Sequence, residues 1–220
     1  MPNGPIDALL FAHHAIDAEA RRIEGAAAHA ETAGALADLA KDAAFLRNFV
    51  VKHTDGEEVG LYPSLIEKVP NIDRTFLHDH ADDKEQFAEL EGLVARCRAE
   101  AAGPAFTALR RQTVVITEHL AVHIRKENEI VLPLVGAHFD PAAQTGMVGK
   151  VLSVFTPADM EAVVPFITRL QTDEGAASYV TVLSRALPPP AFEKAKGWIR
   201  DGVPAARWDA LVRAVPALGG

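Results

Sequence analysis

The spacing His-x3-Glu-x5-Pro occurs twice in this chain, 70 residues apart, as His53, Glu57, Pro63 and again as His123, Glu127, Pro133. The two stretches read KHTDGEEVGLYPSL and VHIRKENEIVLPLV. Residues four apart share a helical face, so each copy points an imidazole and a carboxylate the same way. One such pair arises by chance on solvated helices. Two copies with the same proline offset restrict the chain to folds in which two helices present matched polar faces.

A histidine precedes each copy. His13, with His14 beside it, lies in LLFAHHAIDAEARRI, and His80, with His78, lies in FLHDHADDKEQF. The order along the chain is His, His-x3-Glu, His, His-x3-Glu. That order reads as a helical bundle holding two metal ions, with ligands from each of four helices. Imidazole and carboxylate together are the donors of Zn, Mn and non-haem Fe sites. Glu57 and Glu127 are the natural bridges, with His13 and His53 serving one ion and His80 and His123 the other. Such a set leaves positions open for water, hydroxide, O2 or peroxide.

Composition supports helix and excludes several classes. The chain is 49% hydrophobic and only 6% aromatic. It is rich in Ala, Leu and Glu, which favour helix, and β-branched runs of period two are scarce. Net charge is −8 and the pI is near 5.6, which argues against nucleic acid and leaves no polybasic membrane patch. Cys97 is the sole cysteine, so the donors are not thiolates. No segment approaches the ~20 apolar residues of a membrane span, and the start lacks a basic leader. A cytoplasmic protein is expected.

Periodicity places the elements. Helix 1 starts near Pro5, with Ile6, Leu9, His13, Ile16, Ala20, Ile23 and Ala27 on one stripe. Helix 2 is expected from Ala35 to Val69, with Leu36, Leu39, Phe45, Leu46, Phe49 and Val50 as its apolar positions, loosened by Gly56 and Pro63. Helix 3 follows Pro70-Asn71, with Phe76, Leu77, Phe87, Leu90 and Val94 as its apolar positions. Helix 4 runs from Ala105 to Val135, through Leu109, Val115, Ile116, Leu120, Ile124, Ile130 and Leu134. After Asp140-Pro141 come four or five short helices, begun at Thr156-Pro157, Thr172-Asp173 and Pro188-Pro189-Pro190. Residues 1–138 are read as a four-helix bundle and 139–220 as an extension. That extension has no histidine; it packs on the bundle, closes one end, or docks a protein partner.

His14, His29, His78 and His138 read as peripheral. His119, one turn before His123, reads equally as a ligand, a group behind the ligands, or a polar liner of an access channel.

At these residues the chain resembles the hemerythrin-like, or HHE cation-binding, family over roughly residues 5–136. PIDALLFAHHAIDAE, FLRNFVVKHTDGEEVGLYPSL and IRKENEIVLPLV are similar to the hemerythrin domains of iron-regulated ubiquitin ligases. The resemblance implies an all-α, up-down four-helix bundle with two non-haem iron ions, oxo- or hydroxo-bridged, held by His13, His53, Glu57, His80, His123 and Glu127. Manganese or zinc would suit the same donors. Oxygen-carrying members have a further histidine one turn before the helix 3 ligand. Phe76 stands there, which favours reaction or sensing over reversible O2 transport. The expected function is binding, sensing or reaction with O2, peroxide or iron. The alternatives are a di-iron oxidase or oxygenase of a small organic substrate, and an interaction module docked when loaded.

Overall fold

A computed structural model describes residues 4–30, 32–99 and 103–219. Among them the chain is helical, with no strand. It divides into two compact units, Ile16–Leu134 and Met1–Ala15 with Val135–Gly220.

Four long helices frame the Ile16–Leu134 unit: α1 (Leu9–Ala27, from Ile16 onward), α2 (Ala33–Gly60), α4 (Asp73–Ala99) and α5 (Pro104–Lys126), with α3 (Tyr62–Leu65) a single turn after α2. Side-chain contacts give the topology. Between α2 and α4, Arg47 meets Glu91 at 3.4 Å, Asp55 meets Lys84 at 3.0 Å and Glu58 meets His80 at 2.9 Å. Between α4 and α5, Gln86 meets Gln112 at 2.8 Å and Asp79 meets His123 at 3.3 Å. Between α5 and α1, Thr117 donates to the Ala20 carbonyl at 3.3 Å and Arg110 to that of Ala27 at 3.4 Å. In each ladder the numbers rise on one helix as they fall on the other, so neighbours are antiparallel. Arg22 and Asp42, 2.5 Å apart, close the ring between α1 and α2. The result is an up-down four-helix bundle.

The expected stripes form its core. Ile16, Ala20, Ile23 and Ala27 of α1, Leu39, Leu46, Phe49 and Val50 of α2, Phe76, Phe87 and Leu90 of α4, and Leu109, Ile116 and Leu120 of α5 are all buried. Each large side chain buried this way contributes about 1.5–3 kcal/mol, whereas the exposed ion pairs contribute at most about 1 kcal/mol each. Leu77 and Val115 instead lie exposed, at 38% and 45%, beside buried Phe76 and Ile116. Gly103 starts α5 at φ 144°, a conformation other residues resist, and Pro104 follows in the first turn.

The two prolines of the repeat are accommodated differently. A proline inside a helix lacks an N–H and clashes with the carbonyl four residues back. Before Pro63, α2 stops at Gly60 and a fresh turn begins at Tyr62, so the continuous helix expected to Val69 is broken. Before Pro133, the helix widens instead. Glu127–Val131 is a π segment in which the Leu132 N–H reaches the Glu127 carbonyl, and α6 (Leu132–His138) follows. The extra residue shifts the inward face. Ile130 is 43% exposed and Leu134 only half-buried, while Val131, Leu132 and Val135 are buried.

Among its described residues the other unit includes α7 (Pro141–Leu152), α8 (Pro157–Leu170), α9 (Asp173–Ala186), α10 (Pro189–Gly202) and α11 (Ala205–Ala214). Asp140, Thr156 and Thr172 cap three of them, Thr156 within a capping box with Asp159. α8 packs on α9 and α10, and α9 on α11. A Cβ at Gly202 would sit 2.4 Å from Pro165, so only glycine lets α10 end against α8. Residues before Ile16 belong here. The Ile6 N–H reaches Gln144 at 3.4 Å, and the Phe11 carbonyl accepts from Gln171 at 3.0 Å. Among the described residues no single helix is long and apolar enough to cross a membrane.

Candidate metal centre

The bundle core is interrupted by polar groups at one level. α2 supplies His53 and Glu57 and α4 supplies His80. α5 supplies His123, and Glu127 opens the π segment. All five are at most 4% exposed. Ligand atoms of Glu57, His80, His123 and Glu127 lie within 4.8 Å of one another, and His53 meets the same criterion with the same two carboxylates. His53 Nε2 is 3.3 Å from Glu57 Oε1, and His123 Nε2 is 3.3 Å from Glu127 Oε2. His80 Nε2 faces both acids, 3.7 Å from Glu57 and 3.9 Å from Glu127. Each carboxylate is therefore shared between imidazoles from different helices.

The outer nitrogens are held by further acids. His80 Nδ1 contacts Glu58 Oε1 at 2.9 Å, and His123 Nδ1 contacts Asp79 Oδ2 at 3.3 Å. Donation from Nδ1 fixes the tautomer and turns the Nε2 lone pair inward, the arrangement that orients metal-ligating histidines. Asp79 is also bound by Lys126. The Tyr62 hydroxyl donates to Glu127 Oε1 at 3.1 Å. Its ring stacks on Phe76, 5.8 Å between centroids, and Phe76 stands edge-on to His123 at 6.3 Å.

The electrostatics are those of a core short of positive charge. Burial, then the charges of Glu127, Asp83 and Glu58, hold the Glu57 pKa well above the carboxylate range. Burial pulls His123 down, but its hydrogen bond and charge pairing with Glu127 win, and its pKa rises to about 9. Burial and the neighbouring acids push Tyr62 far up, so it stays a phenol. Imidazoles and carboxylates clustered at this range fit a metal site: cations would replace the protons that the cluster otherwise retains.

His13 is buried on the α1 stripe, in the stretch grouped with the other unit. His14 is exposed, with Nε2 3.2 Å from the Leu170 carbonyl. His29 and His138 are exposed, and the His78 side chain is 77% exposed beside Asp82. His119 turns toward Asp83 Oδ1, at 3.2 Å, which raises its pKa. Sequence reasoning did not single out Tyr62, Asp79 or Asp83. The available signal was position: Asp79 adjoins His80, Asp83 lies one turn on, and Tyr62 precedes the repeat proline.

The family model described as Hemerythrin HHE cation binding domain matches residues 4–135. The chain is similar to Zinc finger protein BRUTUS of Arabidopsis thaliana, 21% identical over 192 residues that cover 84% of this chain. The chain spans only 15% of the length of that relative. No solved structure matches it.

Proposed function

The chain belongs to the hemerythrin HHE cation-binding family, and from that premise we propose that its core holds two non-haem iron ions and binds, senses or reacts with O2, peroxide or iron in the cytoplasm. In this reading His13 and His53 serve one ion, His80 and His123 the other, and Glu57 and Glu127 both. The observation that carries it is that Glu57 and Glu127 each belong to both donor groupings. Manganese or zinc would suit the same donors. Bound iron would supply redox chemistry toward O2 or peroxide at a position the protein leaves open.

The chain's own residues favour reaction over storage. Phe76 presents a ring edge to His123 where oxygen carriers bring another imidazole. Tyr62, a phenol held against Glu127 Oε1, keeps that carboxylate oriented and supplies a hydrogen-bond donor. Glu58 and Asp79 hold His80 and His123 in place without entering the cluster. His119 is directed to Asp83, which supports a place behind the ligands rather than among them.

The test joins elemental analysis to absorption spectra of the anaerobic, reduced protein before and after air. Iron near two per chain and O2 consumed without recovery on degassing are expected. Full recovery of the reduced spectrum over repeated cycles would make the protein a carrier. Absence of bound metal would remove the reading altogether.

A further inference from the structure

Asp83 is not explained by the centre as described. It is 2% exposed, and neither carboxylate oxygen accepts a well-aligned hydrogen bond. A carboxylate left this way in a helical core is unfavourable unless positive charge comes to it. Asp83 lies one turn along α4 from His80, and His119 lies one turn along α5 from His123. Because α4 and α5 are antiparallel, the two meet one layer from the centre, with His119 Nε2 3.2 Å from Asp83 Oδ1. The Asp79 carbonyl, 3.4 Å from the same nitrogen, adds an oxygen.

Burial deepens across this layer. The His119 side chain is 25% exposed and that of Asp83 2%. Glu57, near enough for the charge of Asp83 to act on it, is 1% exposed. The neighbouring acid, Asp79, is already engaged by Lys126 and His123, whereas the Asp83 carboxylate meets His119.

We propose that Asp83 and His119 form the portal through which a divalent cation reaches the buried donors, an inference that rests on the metal-centre reading above. The pair offers one carboxylate and one imidazole. That is enough to capture an aqua ion and strip part of its shell, and too few donors to retain it against the set one turn away. A buried negative group at the mouth also draws cations in, as acidic clefts do.

The experiment uses the full chain, made metal-free and mixed anaerobically with Co(II). Uptake is followed by stopped-flow visible absorption, and the end point by elemental analysis. D83N should slow uptake on the order of tenfold, the lower range for electrostatic steering, and reach the wild-type end point. D83E, which keeps the charge, should recover most of the rate. D55N, at the exposed pair with Lys84, should load like wild type.

A D83N chain that loads at the wild-type rate overturns the portal and leaves the centre standing. A D83N chain with a lower end point also overturns it, because Asp83 would then be a resident ligand. Wild-type protein that takes up no cobalt overturns the centre and the portal together. If D83N fails to fold by circular dichroism, H119Q is measured the same way. Slow uptake to a full end point then supports the portal, and a normal rate overturns it.

Discussion

Glu57 and Glu58 are adjacent yet play different parts, because neighbours on a helix are rotated by about 100°. Glu57 turns to the bundle axis, while Glu58 crosses to His80 Nδ1 on α4. Glu57→Ala or Glu127→Ala should therefore remove most bound metal. Glu58→Ala should keep the site but weaken it by about 10–100-fold, the usual cost of losing a group that orients a ligand. Elemental analysis after dialysis against graded chelator distinguishes these, and equal loading in all three variants would sink the bridging assignment. His13→Ala should likewise lower metal content and His14→Ala leave it unchanged, since His13 is buried and His14 exposed. The reverse result would move the α1 ligand by one residue. The His-x3-Glu pairs were legible because both partners lie on one helix at a fixed angular offset. Asp79, Glu58 and Tyr62 were not, because each finds its partner on another element. No pattern within one helix says which flanking acid will reach which imidazole across the bundle.

At the scale of elements, the stripes of α1 and α2 could be read from the 3-4 spacing, and the reading failed where the helix stopped being α. The sequence HIRKENEIVLPLV continues the period through Ile130 and Leu134, but the π segment inserts one residue and turns Val131, Leu132 and Val135 inward. The cause is Pro133, whose ring an unbroken α-helix would drive against the Glu129 carbonyl. Deleting Glu129 should remove the extra residue and force a choice between that clash and rotation of α6 away from the core. Either outcome should cost about 3 kcal/mol, the penalty of a proline in a helix interior. Denaturant unfolding checks it, and an unchanged midpoint would show that the wide turn does not relieve the proline. Thr156→Ala is the contrasting case. It removes the α8 cap, where Thr156 accepts from the Asp159 N–H at 3.2 Å, and should cost about 1 kcal/mol. Because α8 supplies none of the proposed donors, metal content should not change.

For the molecule as a whole, folding brings carboxylates and imidazoles into one apolar core, which a chain without cations has reason to resist. The sequence made the all-α class and the number of short helices legible, since caps and prolines mark their starts, but it carried no sign of how the core's protons are shared. In the metal-free protein Glu57 is held above its ordinary 4.5, and His123 rises from 6.5 to about 9. Both folded values exceed the unfolded ones, so the native state binds more protons than the unfolded chain. The stability from Glu57 is therefore complete only below its unfolded value. That from His123 is complete below pH 6.5 and lost as pH rises through about 9. The melting temperature of chelated protein should thus fall between pH 6 and pH 9. Metal ions displace those protons and bind only the folded state, so they raise stability by mass action, and more so as proton competition fades. The gap between loaded and chelated melting temperatures should widen across the same window. Thermal melts by circular dichroism at pH 6, 7.5 and 9, with iron or with chelator, measure both slopes. A chelated curve that rises with pH would show that protons do not stabilise the empty cluster, and coincident melts at pH 9 would show that the cluster does not hold metal.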